Sequence, residues 1–274
     1  MRVHVVNVMR PEPGSAAQTL ERFSEFSRKV EAHGFTGLWM TDSFGRGRPT
    51  LDPVVLMTVT AAVTKKIEVG TCVLQVPVRH PIELAHRLEG LHAMLGDRLM
   101  LGLGSGSTKA DFDLVGADYD ARFKTLMSSL ELMKKAWRGE PVPGGQLTPW
   151  PGTEGGPAIM LGAWRNKRWI IFSAEQCQGW IASGLYSQPE ELEVGMKIYR
   201  DAGGKRAVLA NVIVDLKGGG ENMPLGGRAT VMLTGGEAAA LDKLRRIKAV
   251  GFDDVLCMTN PEGLDDLARL RDAL

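Results

Sequence analysis

The sequence predicts a single (β/α)8 barrel, and two observations carry that expectation. Short β-branched runs alternate with longer segments of helical periodicity along the whole chain, the pattern of a parallel sheet with helical crossovers. The alternation occurs eight times in 274 residues, close to the roughly 250 residues usual for one such barrel. Right-handed crossovers allow either an open doubly wound sheet or a closed barrel, and eight units in this length favour closure. Most strand segments are near-continuous apolar runs, as burial on both faces requires. No shift of composition marks a boundary, so residues 1–274 are expected to form one domain.

The first strand is expected at residues 3–8. A helix over 17–33 follows, with Leu20, Phe23, Phe26 (or Ser27) and Val30 on one face and Gly34 as its stop. A strand at 35–41 leads to a helix over 53–64, with Asp52 as N-cap and Pro53 as first residue. Next come a strand at 67–74, a helix at 81–95, a strand at 99–103 and a helix at 121–137. Residues 139–157, rich in Pro and Gly, read as a loop. The remaining strands are placed at 158–161, 179–183, 207–214 and 254–258. Their helices are placed at 167–177, from 189 to before Gly203, at 237–250 and at 262–274, and a Gly-rich segment spans 216–235.

Apolar residues make up 44% and charged residues 24%, ordinary for a globular chain. A formal net charge of +1 leaves no electrostatic footprint for nucleic acid. Cys72, Cys177 and Cys257 are far apart and form no CxxC, so neither a zinc site nor a disulfide framework is expected. The apolar stretch after Met1 is too short for a signal peptide, and no run is long enough for a membrane helix. The expected compartment is the cytoplasm, with a small-molecule substrate and no nucleic-acid or membrane partner.

In this fold chemistry belongs to the loops that follow the strands. The five histidines do not converge there; only His80 is placed near that face. No lysine sits at a strand's C-terminal end to form a Schiff base. Asp42 is the clear strand-end acid, with Asp215 a distant second, so a pair of catalytic carboxylates is missing. An enzyme whose reactive centre is a bound cofactor needs fewer such side chains. Two segments suit an anion. Gly104-Ser105-Gly106-Ser107 follows the fourth strand and lets backbone approach a ligand closely, although it also reads as a flexible strand exit. Gly162-Ala163-Trp164-Arg165-Asn166-Lys167-Arg168 opens a helix with free N–H groups and cations, although it also reads as a solvated basic helix start. Cys72 in an apolar strand, and Trp39 and Trp180, read first as packing.

Taken together, these segments resemble the bacterial luciferase-like superfamily of flavin- and deazaflavin-dependent oxidoreductases. The strongest part is Arg79-His80-Pro81 with Ala85, then Gly96-Asp97-Arg98-Leu99 running into Leu101-Gly102-Leu103-Gly104, with Asp97 where glycine is usual. Arg122, Leu130-Glu131 and Trp137-Arg138-Gly139 follow in order, then Pro157-Ala158-Ile159, Gly162 and Gly179-Trp180. The resemblance implies FMN or the deazaflavin coenzyme F420 as cofactor, its phosphate on Gly104 to Ser107 and on Gly162 to Lys167. It also implies a non-proline cis peptide at Cys72–Val73 behind the ring, which brings in Thr71, and a strand-two acid at Asp42. Ser43 stands where luciferases have a catalytic His, which argues against light emission and admits a non-catalytic flavin-binding relative. A sugar-phosphate isomerase or aldolase using the same anion loops is the remaining alternative. Further implications are a homodimer paired through the second and third helices and a separate flavin reductase as partner; the segment 216–235 is shorter than the active-site insertion of many members, which leaves either a more open pocket or one closed by Gly218-Gly219-Gly220 as a lid. Gly104→Asp is expected to abolish cofactor binding and leave the fold intact.

Overall fold

The computed structural model describes residues 1–11, 16–218 and 229–274. In chain order the first half carries β1 (Arg2–Asn7), α1 (Ala16–Ala32), β2 (Gly37–Met40), α2 (Pro53–Val63), β3 (Glu68–Gln75), α3 (Pro81–Leu95), β4 (Leu99–Gly104), α4 (Lys109–Val115) and α5 (Arg122–Trp137). The second half carries β5 (Ile159–Gly162), α6 (Lys167–Gln176), β6 (Gly179–Ser183), α7 (Pro189–Asp201), β7 (Arg206–Asp215), β8 (Met232–Thr234), α8 (Gly236–Val250), β9 (Asp254–Thr259) and α9 (Leu264–Asp272).

Neighbouring strands pair in parallel from β1 to β7, and β9 pairs with both β7 and β1, which closes an eight-strand barrel. This is the expected (β/α)8 fold. The strand β8 is an addition that the sequence pattern did not reveal. Its three residues pair only with Ile213–Asp215 at the far end of β7. The helix α4 was likewise missed, because residues 105–120 are dominated by Gly, Ser and Asp. Its start does carry a signal, Thr108 followed three positions on by Asp111, the spacing of a helix N-terminus.

Local chemistry explains the ends that were anticipated. The Asp52 carboxylate accepts from the N–H groups of Val54 and Val55, and Pro53 fills the first helical position where its missing N–H costs nothing. The stripe Phe23, Phe26, Ser27 and Val30 packs α1 on the barrel. Leu20 does not join it and is 60% exposed, because at about 100° per residue it falls on the flank of that stripe.

Two apolar layers result. The larger lies between the strands and the helices, with Phe26, Leu38, Trp137, Trp180 and Tyr199 fully buried in it. The smaller fills the barrel itself, with Val6, Trp39, Met160, Ile181, Val208 and Leu256. At the N-terminal ends of the strands the barrel is closed by charge. Arg206 Nη2 donates to Glu68 at 2.6 Å and its Nε to Asp254 at 2.7 Å, and Arg2 bonds the same two carboxylates. Trp39 Nε1 donates to His4 Nδ1 at 3.1 Å, which leaves His4 Nε2 to donate to Asp254 at 2.8 Å. Among the described residues no helix is long and apolar enough to cross a membrane.

Candidate active site

The C-terminal ends of the strands open into a cavity of about 630 Å³. Its floor is the top of the inner layer, including Cys72, Val73, Ile181, Ala210 and Met258. The Cys72–Val73 peptide bond is cis, at the position expected from the sequence. The register of β3 against β4 shifts there, between Cys72 and Leu74. Opposite, β7 shifts its register against β9 between Leu209 and Val212. Within that irregularity Asn211 has φ of 61° and directs its Nδ2 to the Cys72 carbonyl at 3.5 Å. Asn211 lines the cavity and no sequence pattern pointed to it. Burial pushes the Cys72 thiol far up, so it is a packed thiol and not a thiolate nucleophile. Thr71 does not line the cavity; it is fully buried and donates to the Gly102 carbonyl at 2.8 Å.

Asp42 lines the cavity, but its carboxylate is committed. It accepts from Arg79 Nη1 and Nη2, at 2.5 and 3.1 Å, and from the Gln75 N–H at 2.8 Å. Burial pushes the carboxyl above its ordinary value, and Arg79 and the Gln75 amide offset only part of that. It therefore holds two rims together rather than standing free as a base. Asp111 on α4, fully buried, continues this frame. It accepts from Gln75 Nε2 at 2.7 Å, from Phe44 N at 3.0 Å, from Gly45 N and from the Ser43 hydroxyl at 3.4 Å. The loop after β2 and the end of β3 are thus fixed by a residue of the helix that the sequence pattern missed.

Two loops present unpaired backbone N–H groups and make up a candidate anion cradle. Among the described residues, the N–H groups of Ser105, Gly106 and Ser107 meet no acceptor, and neither do those of Trp164, Arg165 and Asn166. Gly106 has φ of 80°, a conformation that glycine takes without strain. Both loops line the cavity through Gly104 to Ser107 and Gly162 to Asn166. Arg122, at the start of α5, joins them, its Nη1 on the Tyr119 carbonyl at 2.8 Å and its buried Nε without a partner. Arg165 lines the rim and pairs with Glu191 at 3.1 Å. Trp164 packs against Tyr186 with ring centroids 4.4 Å apart. Lys167 does not line the cavity; it is the exposed first residue of α6.

The chemistry of the wall is selective. Among the described residues its lining has no His, Lys or Glu, and Asp42 is its one carboxylate. His80 caps α3 outside the cavity, and Asp215 lies off it. Of the expected lid, Gly219 and Gly220 lie outside the described residues. The donor set fits a phosphate-bearing cofactor: six residues with unpaired N–H groups, together with Arg122 and Arg165, line one cavity above an apolar floor.

Comparison with known proteins bears on the family and the fold. The chain is 33% identical over 135 residues to 4-hydroxyprotoasukamycin monooxygenase of Streptomyces nodosus subsp. asukaensis, covering 48% of this chain and 36% of that protein. It is 27% identical over 192 residues to 5,10-methylenetetrahydromethanopterin reductase of Methanolobus tindarius, covering 68% and 56%. The chain thus spans less than two thirds of the length of these curated relatives. Among solved structures, monooxygenase RslO1 from Streptomyces bottropensis matches with a TM-score of 0.85 at 18% identity over 100% of this chain and 98% of that one. The coenzyme F420-dependent tetrahydromethanopterin reductase from Methanopyrus kandleri matches with a TM-score of 0.74 at 13% identity, over 98% and 97%. The oxygenating constituent of 3,6-diketocamphane monooxygenase from Pseudomonas putida, in complex with FMN, matches with a TM-score of 0.74 at 17% identity, over 99% and 95%. At these identities the structures speak for the fold alone. The family model described as luciferase-like monooxygenase matches residues 1–254, and the chain belongs to that family of oxidoreductases.

Proposed function

We propose that this chain is an oxidoreductase that binds FMN or the deazaflavin coenzyme F420 in the barrel-top cavity and turns over a small organic substrate beside it. The observation that carries this reading is one cavity joining a phosphate cradle to a wall without His, Lys, Glu or an uncommitted carboxylate among the described residues. Such a wall cannot run acid–base chemistry alone and suits a bound redox group. That group, when bound, supplies two-electron transfer, towards dioxygen with reduced FMN or towards the substrate as hydride with deazaflavin. The chain's own residues bind and orient. The N–H groups of Ser105 to Ser107 and Trp164 to Asn166, with Arg122 and Arg165, would hold the phosphate. Val73 and Cys72 would back the ring, and the apolar floor would exclude water. The sugar-phosphate alternative lacks its lysine or histidine in this wall.

Relatives support both cofactors, since one structural neighbour is in complex with FMN and another is coenzyme F420-dependent. Titration of the purified protein with each is expected to quench one chromophore's fluorescence. Quenching of neither would overturn the reading. Turnover of the loaded protein then separates an enzyme from a non-catalytic relative. Reduced FMN would come from a separate flavin reductase. The same proposal includes a homodimer through α2 and α3, whose Val55 and Met94 are 56% and 62% exposed. A monomer by size-exclusion chromatography at micromolar concentration would contradict it.

A further inference from the structure

The loops after β1 and β2 bring three more arginines, Arg10, Arg46 and Arg48, to the wall of the same cavity. In the closed strand order β1 stands opposite β5, which sets the loop of Arg10 across the mouth from the β5 loop, while Arg46 on the β2 loop reaches Thr108, the residue that follows the β4 loop. Among the described residues no carboxylate pairs with any of them. Arg46 Nε donates only to the Thr108 hydroxyl, at 3.0 Å. Arg48 Nε is buried with no acceptor at all. Burial and the two neighbouring cations, Arg10 and then Arg46, hold the Arg48 guanidinium below its ordinary proton affinity. Like charges gathered in a partly desolvated wall repel, and a buried donor without a partner is costly. Planar guanidinium forks lacking their own acids match an incoming oxyanion in geometry and charge.

We propose that Arg10, Arg46 and Arg48 form a substrate anion subsite, so that the substrate class is a small organic oxyanion. The group recognised is a carboxylate, sulfonate or phosphate, and the rest of the molecule lies over the apolar floor at Cys72, Val73 and Met258. Calling the ligand a substrate rests on the oxidoreductase reading; the subsite itself does not. The six N–H groups of the β4 and β5 loops, with Arg122, already supply the donors that one phosphate needs, so the arginines of the β1 and β2 loops are assigned to the second ligand rather than to the cofactor phosphate.

The test is calorimetry with hexanoate, hexanesulfonate and hexyl phosphate, with hexanamide as the uncharged control, alongside the cofactor quenching titration. The wild type is expected to bind at least one of the anions and to bind hexanamide at least about tenfold more weakly, the scale of a charge-assisted contact. R46Q/R48Q is expected to lose anion affinity by about tenfold or more while cofactor affinity stays within about twofold. R46K/R48K, which keeps both charges, retains part of the binding. Circular dichroism melts establish that each variant is folded; if the double variant is not, R10Q at the exposed edge of the cluster replaces it, with an expected loss of about threefold. Failure of the wild type to bind any of the three anions overturns the proposal. So does an arginine variant that binds them like wild type. A loss of cofactor affinity in R46Q/R48Q also overturns it, since the cations would then serve the cofactor's acidic tail. If neither cofactor binds but the anions still bind through the arginines, the oxidoreductase reading falls and the anion subsite stands.

Discussion

At the N-terminal ends of the strands, Arg2, Glu68, Arg206 and Asp254 are bonded to one another and to His4 within 2.6–3.3 Å. At the C-terminal ends, Arg10, Arg46, Arg48 and Arg122 line a cavity without a carboxylate partner among the described residues. Both ends hold several charges within one barrel, but they use them differently. The lower set is self-complementary: two arginines meet two carboxylates, and one histidine tautomer is selected by the indole of Trp39. It can only seal and register the strands. The upper set has donors in excess, with the buried Nε atoms of Arg48 and Arg122 left without a partner. The general division of this fold, stability below and chemistry above, is here a division between satisfied and unsatisfied charge.

The largest expected effect is at the lower end. Asp254 has no exposed side-chain surface and accepts from His4, Arg206 and Arg2. Burial alone would raise its carboxyl, but the His4 hydrogen bond and then the Arg206 and Arg2 cations hold it well below its ordinary value of 3.8. Asp254→Asn leaves two guanidinium groups short of counter-charge, and urea unfolding is expected to show a loss of about 3–5 kcal/mol. Cofactor quenching by the folded variant should be unchanged. The pH dependence has a definite sign. A depressed carboxylate contributes stability that is complete above its ordinary value and is lost as pH falls through the folded one. The difference between wild type and Asp254→Asn should therefore be constant from about pH 7 to 5 and shrink below about pH 4. A difference that persists to about pH 2 would mean that packing, not charge, carries the loss.

The sequence made the barrel legible because eight strand-helix alternations need no long-range information. It also pointed to the two loops whose N–H groups the structure leaves unpaired at the cavity, since Gly104-Ser105-Gly106-Ser107 and the start of α6 advertise free backbone donors by composition. What it hid depends on contacts distant in the chain. Asp111 acts through Gln75, Phe44 and Gly45, all more than 30 residues away. Asn211 earns its place by a register shift in β7 that apolar periodicity does not encode. Thr71 and Lys167 were expected at the site because their neighbours are there. Strand alternation turns Thr71 outward to the Gly102 carbonyl, and the first turn of α6 turns Lys167 to solvent. The arginines at 46 and 48 lie in a loop whose fold depends on Asp111, so spacing alone could not gather them.

A smaller effect, confined to the upper end, sharpens the comparison further. Gly104→Asp is not the clean probe that the sequence suggested. A Cβ at Gly104 would fall 2.5 Å from Val73 Cγ2, so the substitution moves the wall beside the Cys72–Val73 bond as well as adding charge. Ser107 is exposed, its carbonyl accepts from the Tyr119 hydroxyl at 3.3 Å, and its N–H belongs to the cradle. Ser107→Asp places a carboxylate there without disturbing packing. Repulsion from a phosphate about 6 Å away at an effective dielectric of 20–40 is worth about 1.5–3 kcal/mol, or roughly 10- to 100-fold in cofactor affinity. Stability should change by no more than about 0.5 kcal/mol, as for other exposed substitutions. The two variants then form a crossed pair: Asp254→Asn lowers stability and spares binding, and Ser107→Asp lowers binding and spares stability. If Ser107→Asp quenches the cofactor as wild type does, the phosphate does not sit on the β4 loop. If it unfolds the protein instead, the upper loop is part of the frame, and satisfied and unsatisfied charge are not separated along the barrel axis.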